Sequence, residues 1–213
     1  MRWAWGLKGF RRACAAALLF IIPVGIGMPS LGWAASPPQG EGGGFAYGHV
    51  HALAADAEGK TLWMGTHHAL LRSDDGGKAW KEAKVSPRHP KLEIMSIAPD
   101  MRNPKVIYLG THEAGVFKTA DGGSTWAQVS NGLGGKDIHG LAFDPNSTEK
   151  LHAAVRDGAE GIYRTRDGGK SWERVADGPK GEVKALASVN ISTGMGGIYL
   201  YAGTTEGLFK SPD

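Results

Sequence analysis

From about residue 48 onward, apolar residues fall in short runs separated by Gly, Asp and Asn, and no stretch of useful length keeps the spacing of an amphipathic helix. The clearest series is IHGLAFD (138–144), KLHAAV (150–155), GIYRTRD (161–167) and SWERVAD (171–177), which predicts four consecutive strands. The same order of runs occurs in HALAAD, TLWMGT, ALLRSDD and AWKEAKV upstream, and in IMSIAPD, KVIYLGT, GVFKTAD and TWAQVS between the two. VKALASV, GIYLYAG and GLFKSPD open a fourth set. The pattern predicts an all-β chain.

The sets are copies of one unit. SDDGGKAW (73–80), TADGGSTW (119–126) and TRDGGKSW (165–172) share a motif, and Asp75, Asp121, Asp167 and Asp213 stand 46 residues apart. Leu71, Phe117, Tyr163 and Phe209 share that register, as do the basic residues Arg72, Lys118, Arg164 and Lys210. Four short strands per period of this length predict the four-stranded antiparallel blade of a β-propeller, with units at 48–91, 92–136, 137–180 and 181–213. The 166 residues from Gly48 to Asp213 make about 3.6 blades, and SPD (211–213) is only the opening of a fourth motif.

The motif has a mechanical reading. An aspartate at the hairpin between third and fourth strands accepts backbone N–H groups, while the two glycines that follow allow the positive φ of a tight turn. The tryptophan then covers the hairpin with apolar area. The positions assigned to this device are Ser73, Asp75, Gly77 and Trp80; Thr119, Asp121, Gly123 and Trp126; Thr165, Asp167, Gly169 and Trp172; and Ser211 with Asp213. Repetition in every blade argues for structure rather than catalysis.

The pattern Ser/Thr-x-Asp-x-Gly-x-x-Trp resembles the Asp-box, or bacterial neuraminidase repeat, of sialidases, xyloglucanase-type glycoside hydrolases, sortilin-like receptors and photosystem II assembly factors. The resemblance implies a propeller of commonly six to eight blades. This chain then reads as part of a longer propeller, as an open arc completed by self-association or another chain, or as a four-bladed ring. The family includes enzymes and binding scaffolds, so the fold does not choose between them. Sialidases bind their substrate's carboxylate with an arginine cluster, often including a Phe/Tyr-Arg-Ile-Pro motif; this sequence has no such motif. A conventional glycosidase needs two facing carboxylates, and Glu113, Asp157 and Glu206 have no distinguishing context.

The first 35 residues form a different segment. Arg2, Lys8, Arg11 and Arg12 precede an uncharged stretch from Ala13 to Gly40, with small Gly32 and Ala34 placed for cleavage. This is the pattern of an export signal, and Pro23, Gly25, Gly27 and Pro29 argue against a retained span. A membrane contact is expected only through an uncleaved leader. Residues 36–47, which begin SPPQGEGGG, read as a linker. Without the four leader cations, 20 basic side chains face 21 acidic ones, a net charge of −1. With no basic run interleaved with aromatics, nucleic acid is not an expected partner. Cys14, the only cysteine, lies in the leader, so the exported part has no disulfide, thiol nucleophile or thiolate metal site.

On the propeller plan, loops before the first strand and after the second share one mouth, opposite the Asp-box hairpins. His49, His51, His67, His68, His112 and His139, six of the eight histidines, map there, with Arg156 as the only mapped arginine. Duplication of the repeat is one source of this enrichment. The other reading is a ligand mouth with a transition-metal site, for which His49, His51, His67 and His68 of the first blade are the candidates; no cofactor is otherwise expected. The resulting expectation is an exported, non-catalytic binding or assembly module for a protein or carbohydrate partner, with a sialidase- or xyloglucanase-type hydrolase as the alternative.

Overall fold

The computed structural model describes residues 4–5, 49–86, 92–191 and 197–212. Regular structure among them is entirely β. The first blade holds β2 (Val50–Ala55), β3 (Leu62–Thr66), β4 (Leu70–Ser73) and β5 (Lys81–Ala83). The second holds β6 (Ile94–Pro99), β7 (Ile107–Thr111), β8 (Val116–Thr119) and β9 (Ala127–Gln128). The third holds β10 (Ile138–Phe143), β11 (Leu151–Val155), β12 (Gly161–Thr165) and β13 (Glu173–Arg174). The fourth holds β14 (Val183–Asn190), β15 (Ile198–Thr204) and β16 (Gly207–Pro212). Its outer strand is β1 (Ala4–Trp5), with Ala4 opposite Lys210 and Trp5 opposite Phe209. The first three sheets are antiparallel meanders in strand order, the fourth runs β14, β15, β16, β1, and first strands pack in sequence, β2 on β6, β6 on β10 and β10 on β14. These are four consecutive blades of a β-propeller.

The fourth blade departs from expectation. Its first three strands follow the repeat, but the fourth comes from the segment read as a leader, whose removal would take this strand with it. The rest of that leader and the linker 36–47 lie outside the described residues. No helix among the described residues is long and apolar enough to cross a membrane.

The Asp-box hairpins repeat in detail. Asp167 Oδ1 accepts the Thr165 hydroxyl at 2.7 Å and the Ser171 N–H at 2.9 Å, and Thr165 Oγ1 accepts the Gly169 N–H at 2.9 Å. Asp121 accepts the Thr119 hydroxyl and the Thr125 N–H while Thr119 Oγ1 accepts the Gly123 N–H, and Asp75 accepts the Ser73 hydroxyl and the Lys78 and Ala79 N–H groups. Gly168 and Gly169 have φ of 70° and 91°, the conformation their turn requires. Ser73, Thr119, Thr165 and Ser211 are buried at the strand ends. Asp213 lies outside the described residues.

The tryptophans do more than cover their own hairpins. Trp126 of the second blade meets Trp63 of the first, edge to face at 6.4 Å. Trp172 of the third blade donates its indole N–H to the Val129 carbonyl of the second at 2.7 Å. Trp80, in the first blade, is only half-buried and donates to Gly77 in its own hairpin. The Asp-boxes of the second and third blades therefore dock on the blade before them. The repeated basic residue closes the same junction from the other side, since Arg72 donates to the Gly122 carbonyl at 2.8 Å and Lys118 to the Gly168 carbonyl at 2.9 Å. Three apolar clusters fill the blade junctions, centred on Trp63 and Ile94, on Tyr108 and Ile138, and on Ala154 and Leu200.

Two contacts set the geometry near the axis. A Cβ on Gly65 would fall 2.6 Å from Ile94 Cγ2, and one on Gly110 would fall 2.8 Å from the Ile138 carbonyl. Glycine near the end of the second strand in the first two blades thus lets the next blade's first strand abut the backbone, and Ala154 takes the equivalent position in the third. Because Glu93 precedes Ile94 and Asp137 precedes Ile138, these contacts carry each acid to the neighbouring blade's loop.

Candidate functional site

At the opposite end of the strands from the Asp-boxes, three positions recur in each blade. The residue before the first strand is His49, Glu93, Asp137 or Glu182. Two residues later, the first strand shifts register against the second, between Val50 and Ala52, Ile94 and Ser96, Ile138 and Gly140, and Val183 and Ala185. The bulged residues are His51, Met95, His139 and Lys184, and a bulge re-aims its side chain. The third position follows the second strand and is occupied by His67, His112, Arg156 or Thr205.

Local bonds hold that third position. The buried hydroxyls of Thr66 and Thr111 each accept an N–H three residues on, from Ala69 and Ala114, both at 3.0 Å. The His112 N–H also donates to the Glu93 carbonyl at 3.1 Å, Arg156 N–H to Asp137 at 2.9 Å and Thr205 N–H to Glu182 at 3.1 Å.

Across every junction an acid of one blade meets basic groups of its own blade or the one before it. Glu93 Oε1 lies 2.6 Å from His67 Nδ1 and 3.2 Å from His51 Nε2. Asp137 Oδ1 lies 3.0 Å from His112 Nδ1 and 2.8 Å from His139 Nε2. Glu182 pairs with Arg156 and, at 2.6 Å, with Lys184. The result is a seam of alternating charge along the mouth. Its third segment is anchored to the second, because Arg156 Nη1 is 2.7 Å from His139 Nε2.

The environment separates the imidazoles. Burial, with His67 beside it, lowers the His51 pKa. The hydrogen-bonding carboxylate of Asp137 raises that of His112. Burial lowers His139, and Arg156 adds to the effect against the opposing pull of Asp137. The bond from Lys184 lowers the Glu182 carboxyl.

The structure brings His49, His51 and His67 together, with His49 Nδ1 3.2 Å from His67 Nε2. His68 is exposed, its ring 5.9 Å from that of His67. His112, His139 and Arg156 belong to the next two junctions, so His51 and His139 serve different acids. The sequence pattern alone gives no partner to Glu93, Asp137 or Glu182. Their recurrence 44 and 45 residues apart was a signal available in the chain. Among the carboxylates weighed earlier, Asp157 accepts the Lys136 and Asp137 N–H groups at 2.8 Å, a structural role. Glu113 and Glu206 are exposed. At the far end of the same first strands, a cavity of about 290 Å³ is lined by Ile97, Met101, Leu141, Phe143, Leu186 and Ser188.

Fold and mouth together define an Asp-box β-propeller with an ion-paired rim. The chain belongs to the family described as photosynthesis system II assembly factor YCF48, which it matches over residues 50–203. Among solved structures it is similar to the GH74 enzyme of Niastella koreensis, at 24% identity and TM-score 0.58, covering 76% of this chain and 27% of that one. It is also similar to YCF48 from Cyanidioschyzon merolae, at 19% identity and TM-score 0.56, covering 76% and 50%. A structure of YCF48 bound to D1 peptide matches at 20% identity and TM-score 0.55, covering 77% and 51%. The chain thus spans about a quarter of the GH74 enzyme and half of the YCF48 chains, and these likenesses show the fold. No curated protein matches the sequence.

Proposed function

We propose that this chain is an exported, non-catalytic module that holds a protein segment at its mouth during assembly of a larger complex. The observation that carries the reading is the commitment of the mouth's charges: Glu93, Asp137 and Glu182 are each engaged by two basic groups, and Asp157 by backbone N–H groups. Glycoside hydrolysis needs one carboxylic acid and one free carboxylate flanking a bond. Engaged acids do not meet that need. Arg156 is likewise committed, paired with Glu182 and set against His139.

A seam of paired charges suits reversible recognition. Polypeptides offer N–H and C=O groups and charged side chains at similar spacings, and His67 and His112 keep part of their surface exposed to meet them. Family membership supports the reading, as does the YCF48 structure bound to D1 peptide. The leader supports export.

A photo-crosslinking residue at position 68, in cells producing the chain, is expected to capture a discrete protein adduct that the same residue at position 75, on the Asp-box face, does not. Equal capture at both positions removes the mouth as the binding face. Turnover of a fluorogenic sialoside or a β-glucan that disappears in Arg156→Ala overturns the non-catalytic reading.

A further inference from the structure

We propose that His51, His67 and Glu93 form a binding site for one divalent transition-metal ion at the junction of the first two blades, and that the similar His112, Asp137 and His139 do not. Both sets place two imidazole nitrogens and one carboxylate oxygen within 4.8 Å of one another. Two His and one carboxylate suit zinc and its neighbours and leave coordination positions open. Bonds of about 2.1 Å in a tetrahedral arrangement put ligand atoms about 3.4 Å apart. The His51–Glu93 separation of 3.2 Å already matches, and the 2.6 Å between His67 and Glu93 needs only a small widening.

Each set has an imidazole nitrogen sealed from solvent that faces its acid, His51 Nε2 toward Glu93 and His112 Nδ1 toward Asp137. Two other features favour the first set. His67 Nε2 meets His49 Nδ1 at 3.2 Å, so His49 can accept the far N–H and hold His67 with Nδ1 toward the ion. The second set faces a fixed cation. Arg156 Nη1 lies 2.9 and 2.7 Å from the two ring nitrogens of His139, where it repels a metal and crowds a ligand atom. The two sets also differ in origin: the bulge histidine comes from the earlier blade in the first and from the later blade in the second, since Met95 occupies the intervening bulge.

Calorimetric titration of the untagged full chain with zinc alone tests this, independently of any protein partner. One ion per chain is expected, abolished in His51→Ala and in Glu93→Gln, weakened about tenfold in His49→Ala and retained in His112→Ala. Far-UV circular dichroism confirms that each variant is folded. Arg156→Ala is expected to raise the stoichiometry from one ion to two. Absence of binding by the wild type, or binding that survives in folded Glu93→Gln, overturns the site; loss of binding in His112→Ala assigns it to the wrong junction.

Discussion

Truncating the three Asp-box tryptophans in turn tests whether the motif staples one blade to the blade before it. Trp172 is 5% exposed and Trp126 7%, whereas Trp80 is half-buried. A buried tryptophan removes about 150–250 Å² from water, worth about 4–6 kcal/mol at about 25 cal/mol per Å², and measured Trp→Ala losses run at about 3–5 kcal/mol. Trp172→Ala also deletes the bond to the Val129 carbonyl, about 1 kcal/mol more. Trp126 has a buried indole N–H with no hydrogen-bond partner, so its removal relieves a desolvated donor and offsets about 1 kcal/mol or more of the packing loss. The expected order is Trp172→Ala at about 5, Trp126→Ala at about 3 and Trp80→Ala at about 1 kcal/mol. Urea denaturation followed by far-UV circular dichroism measures all three without relying on the deleted fluorophore. Trp172→Phe, which keeps an aromatic ring, should recover most of the loss. Equal losses for the three alanine variants would show that each tryptophan acts within its own hairpin and would refute the staple across blades.

Asp167 and Asp121 are held at a pKa of about 2, chiefly by the side-chain hydroxyls of Ser171 and Thr125. Their contribution is therefore complete above the unfolded value of about 4 and is lost as pH falls toward 2, and Asp167→Asn should flatten the stability–pH curve in that window. An unchanged slope would remove the carboxylate from the account. Gly110→Ala pushes a methyl against the Ile138 carbonyl and should cost about 1–3 kcal/mol. It should also lower the His112 titration midpoint seen by NMR as Asp137 is displaced; a midpoint that stays raised means that the close approach does not place the acid. N-terminal sequencing of exported protein is expected to begin at Ala35 or Ser36, and an intact Met1 in the membrane fraction would mean that the leader is retained.

The blade was legible in the chain because it is a local object repeated. Alternating apolar runs set the strands within a residue or two of where IHGLAFD, KLHAAV and GIYRTRD place them, and Asp-Gly-Gly specifies a turn whose bonds close within a few residues. The same spacing located the histidines at one mouth, since the end of a strand is fixed once its direction is known. Which imidazole meets which acid was a tertiary matter. The register shift that turns His51 and His139 exists only between paired strands, and Glu93 reaches His67 only because Ile94 abuts Gly65 across a blade junction. The pattern of one blade by itself places His68 at the mouth, which the structure leaves exposed, and gives no partner to Glu93 or Glu182, whose partners include residues of the preceding blade. The direction of Trp126 and Trp172 toward the preceding blade was set in the same way, by packing of apolar area that no period within one blade encodes.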